Sequence, residues 1–261
     1  MTSPTVLCRL VPALQLPPGG LPLTGERTLP GIPIENYWYR RHEAAYAALL
    51  PFCRGAVVLD AGCGEGYGAD RIAGVARRVI GVDYDPATVG HVRDTYPRVP
   101  VVRGNLVALP VADGVIDVVA GLQVIEHLWD QPGFLRECAR VLRPAGTLLL
   151  TTPNRLTFSP GNDAANPFHA RELSAAELAE LLVAEGFAVS RLLGLRHRRR
   201  LRRMDRRYGS LVAAQLAGPA ATWHPTLRRD VASVRASDFA LVRDELDGCL
   251  DLIAVAVRNP G

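Results

Sequence analysis

Features of membrane-spanning and exported proteins are absent from this sequence of 261 residues. No run approaches the ~20 consecutive apolar residues that a membrane-spanning helix needs. The first residues contain no positive segment followed by an apolar one, so the sequence predicts no secretory signal. Cysteine is scarce, and the five cysteines form no CxxC pair and no spacing typical of a zinc site. We therefore expect reduced thiols and a cytoplasmic location.

Positive charge is concentrated in one segment of the chain. The net charge is only +4, with a pI of about 9.0, yet eight of the twelve residues at 196–207 are arginine. Such a run has two interpretations. It is either an anion-binding surface, for nucleic acid, acyl-CoA or a phosphorylated partner, or the solvated face of a helix. For an isolated run we favour the solvated face.

A glycine-rich turn after an apolar run is the most informative stretch of the sequence. Residues 56–66 read AVVLDAGCGEG, which predicts a strand buried on both faces and then a tight turn. Gly62, Gly64 and Gly66 permit positive φ and have no Cβ that would block a ligand. A helix predicted at 67–74 would present free N–H groups to that ligand. The arrangement suits a nucleotide-like molecule at the carboxyl end of a parallel sheet.

Two acidic residues at strand ends indicate which nucleotide this is. The spacing Gly64-x-Gly66-x-x-Ala69 is a loose dinucleotide fingerprint and weak evidence by itself. Asp60 comes just before the turn, where a pyrophosphate would be repelled and a positively charged ligand attracted. Asp83 ends a second predicted strand, where an acid can accept both hydroxyls of a ribose. A positively charged amino acid joined to a ribose describes S-adenosylmethionine.

Four motifs resemble those of the class I methyltransferases that use this cofactor. LDAGCGEG and GVDYD are similar to the first two motifs of that family, and IEHL and LRPAG are further matches. The resemblance covers roughly residues 37–190 and returns at 249–258. It implies an α/β, Rossmann-like fold, with a seven-stranded, mostly parallel sheet, helices on both faces and an antiparallel last strand.

The chain is expected to contain one domain and two additions to it. Residues 1–34 hold seven of the twenty prolines and are predicted to be a partly disordered arm, part of which packs on the body. Residues 35–258 are predicted to be the methyltransferase domain, and 48% hydrophobic residues suffice for its core. In the resembling fold the last connection is a short turn. About fifty residues, 196–245, are therefore an insertion that we expect to act as a lid or a dimer contact.

The predicted cofactor contacts combine the turn, the acids and the resemblance. In the resembling family a helix before the first strand often covers the cofactor, and its Tyr, Arg or His reaches the methionine carboxylate. The family carries Asp at the position of Asn105, whose carbonyl oxygen can still accept from the adenine amine. Tyr84 can stack beside the adenine or ribose. The full predicted set is Tyr37, Arg40, His42, Asp60, Gly62, Gly64, Gly66, Asp83, Tyr84, Asn105, Leu106 and Gln123.

A hydroxyl acceptor needs a group that takes its proton. His127 follows the fourth predicted strand, where the resembling family points residues at the methyl group, and an imidazole titrates near neutral pH. We predict His127 as the base, with Glu126 orienting it or binding acceptor hydroxyls, and His169 as the second candidate. A purely structural role for the Glu-His pair stays open. So does Mg²⁺ bound through Glu126, Asp130 and Asp163, which no spacing requires.

The acceptor is predicted by resemblance alone. The TTPN turn and the segment FHAREL are similar to those of small-molecule and sugar O-methyltransferases. The whole chain resembles actinobacterial sugar O-methyltransferases of polymethylated polysaccharide biosynthesis, which methylate mannose or glucose units. Polar and aromatic residues that can serve such a site are Asn154, Arg155, Asn162, Asn166, Tyr208 and Trp223. We expect a small sugar or oligosaccharide acceptor and allow for a homodimer.

Other classes of protein stay open. An O-methyltransferase of a quinone or another lipid precursor shares most of these motifs and predicts an apolar acceptor pocket. A nucleic-acid methyltransferase would use the arginine run, but the sequence lacks the N/D-P-P-Y/F motif of amine methylation, so nucleic acid is not expected as a partner. A non-catalytic protein would bind the cofactor without turnover. An NAD enzyme is a distant alternative.

Overall fold

The computed structural model describes residues 21–23, 27–160 and 166–259. The strands are β1 (Val57–Ala61), β2 (Arg78–Asp83), β3 (Val101–Arg103), β4 (Ile116–Leu122), β5 (Leu142–Pro153), β6 (Phe187–His197), β7 (Phe239–Val242) and β8 (Asp251–Arg258). The helices are α1 (Asn36–Cys53), α2 (Tyr67–Ala73), α3 (Pro86–Thr95), α4 (Gln131–Val141), α5 (Arg155–Phe158), α6 (Ala175–Ala184), α7 (Arg199–Arg207), α8 (Leu211–Leu216) and α9 (Pro225–Ala232). Within the described ranges, no helix combines the length and apolar character needed to cross a bilayer.

The strands form one sheet in the order β3-β2-β1-β4-β5-β8-β6-β7. Strands β1 to β5 are parallel, and β8 runs antiparallel to β5 and β6. This confirms the predicted α/β, mostly parallel sheet with an antiparallel last strand. The strand count was wrong by one, because residues 239–242 at the end of the insertion pair antiparallel with β6 at the sheet edge. Four residues so far from β6 in sequence gave no local strand signal.

Alternating residues of the central strands fill two separate cores. Val58 and Ala120 face the side covered by α1, α2, α3 and the insertion, whereas Leu59 and Val119 face the side covered by α4 and α6. This period of two explains why the strand sequences are apolar almost throughout, since both faces of a parallel sheet are buried.

Polar residues fix the starts of two helices. Asp85 caps α3 by accepting from the backbone N–H of Ala87, and Ser174 and Glu177 form a capping box at the start of α6. A proline at position 51 favours a helix end at about residue 50, but α1 continues to Cys53. Pro51 lies in the last turn, where a proline removes only one backbone donor.

The arginine-rich segment forms α7, which packs by its two apolar residues. Leu201 and Met204 are buried, while all six arginines of the helix are exposed. Arg200 pairs with Asp238, and Arg207 pairs with Asp230 at 2.6 Å. The geometry agrees with the solvated-face interpretation of the run.

Candidate active site

A cavity of about 880 Å³ opens where the strand order reverses, at the carboxyl ends of β1 and β4. Ligands of open α/β sheets bind at this reversal. The turn after β1 and the segments after β2 and β4 form its floor, and α1 forms a wall. Residues 27–28 and 34–35 close one side, and residues 215–228 of the insertion form a roof.

The three glycines of the turn have different tasks. Gly62 and Gly64 line the cavity, with φ of +81° and +52°. A Cβ on Gly62 would lie 2.5 Å from a methyl group of Val124, whereas a Cβ on Gly64 would project into open space. Gly66 caps α2 at φ +102° and packs against Tyr96 rather than lining the cavity. Only the first two are therefore placed for direct contact with a ligand.

Asp83 lies at the end of β2 and lines the cavity. Its carboxylate accepts from the backbone N–H groups of Gly64 and Asp85, each at 3.0 Å. Burial raises its pKa, which those two hydrogen bonds partly offset. Asp83 is therefore hydrogen-bonded to the glycine turn and lies at the end of the second strand, where the sequence predicted it.

Asp60 is fully buried and does not line the cavity. Neither carboxylate oxygen has a hydrogen-bond partner in the part of the chain that the structure describes. Burial, and next the charge of Asp83, raise the pKa of Asp60 to about 7. Among the described residues the carboxylate of Asp60 has no partner, whereas the charge of Arg27 lowers the pKa of Asp83. The buried acid at position 60 therefore makes this a region that favours positive charge.

Three further predicted residues line the cavity and one does not. Tyr84, Leu106 and Gln123 face it, and Gln123 holds φ +56°, a region that few non-glycine residues adopt. The Gln123 side-chain amide donates to the hydroxyl of Thr151 at 3.1 Å. Asn105 is exposed outside the cavity, where its side-chain oxygen accepts from a backbone N–H two residues on. The predicted adenine contact of Asn105 is not supported by this position.

Of the three cofactor contacts predicted in α1, one lines the cavity and two do not. Tyr37 is buried away from the cavity, with its hydroxyl 2.8 Å from Nε2 of His197. Arg40 pairs with Glu43 at 2.6 Å and does not line the cavity either. His42 does, and its Nδ1 lies 3.1 Å from the Tyr67 hydroxyl. Burial lowers the pKa of His42 to about 4, so the ring is neutral.

The face of α1 that lines the cavity was only partly predicted, because the residues of this helix were chosen by the chemistry of their side chains. At 100° per residue, positions 35, 38, 42 and 46 share a face. Glu35, Trp38, Arg41, His42 and Tyr46 are the residues that line the cavity. Helical spacing was the signal that the sequence offered. It places Tyr37 and Arg40 on other faces of the helix.

The candidate catalytic residues meet in this cavity. The rings of His127 and His169 are perpendicular, with centroids 4.9 Å apart. Ligand atoms of Glu126, His127 and His169 all lie within 4.8 Å of one another. Burial raises the pKa of Glu126 to about 8, and its Oε2 has no hydrogen-bond partner among the described residues. This group can exchange a proton with a ligand or hold a cation.

The hydrogen bonds of the two histidines differ. His127 Nδ1 lies 3.0 Å from the carbonyl oxygen of Phe168. His169 Nδ1 lies 2.7 Å from a Glu172 oxygen, and its Nε2 lies 3.1 Å from the side-chain nitrogen of Asn166. His169 is therefore fixed by its own segment through both ring nitrogens.

The predicted Mg²⁺ ligands are only partly assembled. Glu126 lies in the cavity, but Asp130 caps α4 by accepting from the N–H of Gly133 and does not line the cavity. Asp163 lies outside the described residues. The group that the structure brings together instead contains two imidazoles and one carboxylate.

Three of the six proposed sugar-binding residues do not line the cavity. Asn154 is buried and donates to three backbone carbonyls of residues 246–249. Arg155 pairs with Glu177 and the Tyr208 hydroxyl donates to Asp230, and Asn162 lies outside the described residues. Asn166 and Trp223 do line the cavity.

Comparisons with known proteins agree with this geometry. Residues 59–150 match the methyltransferase domain family. A probable S-adenosylmethionine-dependent methyltransferase of Mycolicibacterium smegmatis is 57% identical over 248 residues, which cover 92% of this chain and 96% of that protein. A ubiquinone biosynthesis O-methyltransferase of Azorhizobium caulinodans is 32% identical over 123 residues, which cover 46% of this chain and 49% of that protein. A SAM-dependent methyltransferase structure from Thermotoga maritima covers 85% of this chain and 93% of its own, with TM-score 0.59 and 18% identity.

The similarity over nearly the full length shows the family. The chain belongs to the class I S-adenosylmethionine-dependent methyltransferases. Its residues fit that cofactor: Gly64 leaves the space that a Cβ would occupy, Asp83 lines the cavity, and the buried carboxylate of Asp60 favours a positively charged ligand nearby.

Proposed function

We propose that this protein methylates a hydroxyl group of a sugar, in a mannoside or glucoside oligosaccharide precursor. The observation that carries the proposal is the group Glu126, His127 and His169 in the same cavity as the glycine turn. A hydroxyl acceptor must lose its proton, and these residues offer a base beside it. The tryptophans Trp38 and Trp223 line the same cavity and suit the apolar faces of a sugar ring.

His127 acts as the base in this proposal. The carbonyl of Phe168 can only accept a hydrogen bond, so Nδ1 of His127 carries the ring proton and Nε2 carries the lone pair. Nε2 then takes the proton of the acceptor hydroxyl. The cofactor, when bound, would supply an electrophilic methyl group on its sulfonium. The acceptor oxygen would bond to that methyl carbon in line with the C–S bond, which breaks as its electron pair leaves with the sulfur of S-adenosylhomocysteine. His169, held by Glu172, packs against the ring of His127 and keeps it in place.

A divalent cation is a second way for the same three residues to activate the hydroxyl. A metal would lower the pKa of a bound hydroxyl and take over the role of the base. Two imidazoles and a carboxylate suit Zn²⁺ or Mn²⁺ better than Mg²⁺, which prefers oxygen ligands. Loss of activity in EDTA, with recovery on adding one metal, would favour this alternative.

The insertion is proposed to act as a lid. Residues between 215 and 228 line the cavity together with α1, so this part of the insertion is placed where it can cover a bound acceptor. A dimer role for the insertion remains the alternative, and sedimentation of the protein at several concentrations decides it.

A quinone or another lipid precursor is the second candidate acceptor. The apolar side chains of Ile34, Leu122 and Leu216 line the cavity, and the partial similarity to a ubiquinone biosynthesis O-methyltransferase points the same way. Such an acceptor is aromatic and carries few hydroxyl groups.

The test is methyl transfer from labelled S-adenosylmethionine to two panels of acceptors, mono- and oligosaccharides in one and hydroxylated quinone precursors in the other. Each reaction is run with EDTA, with Mg²⁺ and with Zn²⁺ or Mn²⁺. We expect label in the sugar panel. Label confined to the quinone panel would refute the proposal.

A further inference from the structure

Helix α1 extends from the cofactor end of the cavity to the insertion. His42, bonded to the Tyr67 hydroxyl, lies beside the glycine turn. Asn36 donates to the backbone carbonyls of Val231, Ala232 and Val234, at 3.2, 3.0 and 2.8 Å. The start of the helix is therefore anchored to the insertion. At a rise of 1.5 Å per residue, the seven residues from 35 to 42 span about 10 Å.

Glu35 lies at the insertion end, just before the first turn of α1, and lines the cavity. Its side chain makes no capping bond and no hydrogen bond or ion pair with any residue that the structure describes. Arg228 also lines the cavity, but its guanidinium donates to the carbonyls of Ala220 and Ala221. The fold thus holds a half-buried carboxyl at the cavity without using it for its own structure, and partial burial raises its pKa to about 7.

A wall of aromatic rings connects this carboxyl with the histidine pair. Trp38 follows Glu35 by one helical turn, and its ring centroid is 6.2 Å from that of Phe158. Phe158 lies 5.4 Å from His169, which lies 4.9 Å from His127. All of these rings line the cavity. Glu35 is therefore at one end of the wall and the proposed base at the other.

We propose that Glu35 binds the acceptor, accepting hydrogen bonds from hydroxyl groups on the part of the molecule remote from the methylated oxygen. This inference rests on the proposed sugar O-methylation and identifies the residue that selects a polyol. A carboxylate accepts two hydroxyl donors at once, while the ring faces of the acceptor pack along Trp38 and Phe158. A quinone precursor carries few hydroxyl groups, and the one that is methylated lies at the base rather than at Glu35, so we expect it to present no donor to this carboxylate. It would bury the carboxylate unpaired, which disfavours its binding.

Steady-state kinetics with the full-length protein test this role. The acceptor is whichever sugar of the panel carries label with the wild type. Glu35→Ala is expected to raise KM for that sugar tenfold or more, to change kcat less than threefold, and to leave the Kd of S-adenosylhomocysteine unchanged. Glu35→Gln keeps an acceptor oxygen and should raise KM less. Glu43→Ala is the matched control, since Glu43 is on the same helix but outside the cavity.

The possible outcomes distinguish a failure of the proposed sugar O-methylation from a failure of the proposed role of Glu35. If wild-type protein labels no sugar, the proposed function fails and this inference fails with it. If sugar is labelled normally but Glu35→Ala and Glu35→Gln both keep KM within twofold of wild type, the inference alone is refuted. A weaker Kd for S-adenosylhomocysteine with unchanged KM also refutes it, because Glu35 would then belong to the cofactor site. Thermal melts of both variants exclude loss of folding as the cause.

Discussion

At the scale of single residues, the site is distinguished by carboxyl groups that the fold buries. Burial raises the pKa of Glu35 and Asp60 to about 7 and that of Glu126 to about 8. For the fully buried Asp60 and Glu126 this burial is unfavourable for folding, because the charged form is removed from water, whereas Glu35 is half-buried. Such groups are common at functional sites, where a ligand provides the missing partner. Three predictions concern individual residues of this site.

Asp83→Ala is expected to weaken binding of S-adenosylhomocysteine by about ten- to a hundredfold, since a hydrogen bond to a charged group contributes about 1.5–3 kcal/mol. The variant also removes the acceptor of the Gly64 N–H and loosens the turn. Isothermal titration calorimetry gives the Kd. Asp70→Ala is the control, because Asp70 pairs with Arg98 on the surface. An unchanged Kd for Asp83→Ala would contradict the assignment.

Asp60→Asn is expected to stabilise the cofactor-free protein at pH 8. The pKa of Asp60 is about 7 in the folded state and about 3.9 in an unfolded chain. The folded state therefore binds more protons between these values, and stability falls as the pH rises from about 4 to about 7. Removing the charge recovers stability, of the order of a few kcal/mol, above pH 7.

Thermal unfolding at pH 5 and pH 8 checks this. The gain in Tm of Asp60→Asn over wild type should be larger at pH 8 than at pH 5, while affinity for S-adenosylmethionine falls. A variant that is less stable than wild type at pH 8 would show that Asp60 has a partner which the geometry does not reveal.

His127→Ala is expected to lower kcat by about 10²- to 10⁴-fold, the usual contribution of a general base, with little change in the Kd of the cofactor. Single-turnover methyl transfer measures the chemical step. His169→Ala, which removes only the packing partner of the ring, should lower kcat less. Near-normal turnover of His127→Ala would move the base to His169 or to a metal-bound hydroxyl.

At the scale of elements, the local signals of the sequence predicted the structure well. The apolar strand, the glycine turn and the acid at the end of β2 are contiguous patterns, and each lies where it was expected. The face of α1 was predicted less well, because Tyr37 and Arg40 were chosen for their chemistry and not for their angle around the helix. Helical periodicity would have selected Trp38 instead.

The segment before α1 provides a prediction at this scale. Arg27 pairs with Asp85 at 3.0 Å and donates to the Thr88 hydroxyl at 2.7 Å, which ties the segment to the start of α3 across the cavity. Arg27→Met should loosen this connection and release S-adenosylhomocysteine about tenfold faster, a change of about 1.4 kcal/mol.

Stopped-flow displacement measures that release rate. Arg98→Met is the matched control, since it breaks the exposed ion pair with Asp70 away from the cavity. Equal rates in Arg27→Met and wild type would show that the segment does not retain the cofactor.

At the scale of the whole molecule, long-range contacts mark the limit of sequence reasoning. The buried ion pair between Arg41 and Asp251, at 2.6 Å, joins residues 210 positions apart. The bonds from Asn36 to residues 231–234 likewise place the insertion over the cavity. No local pattern encodes either contact. A lid in the insertion was expected, but the residues of the insertion that meet α1 and line the cavity could not be predicted.

The measurement that tests the account most directly is the position of the transferred methyl group. Wild-type protein is incubated with ¹³C-methyl S-adenosylmethionine and the sugar acceptor, and the product is examined by NMR. We expect a single ¹³C-methyl ether on a hydroxyl oxygen of the sugar. Label on carbon or nitrogen, or label found only on a quinone precursor, would contradict it.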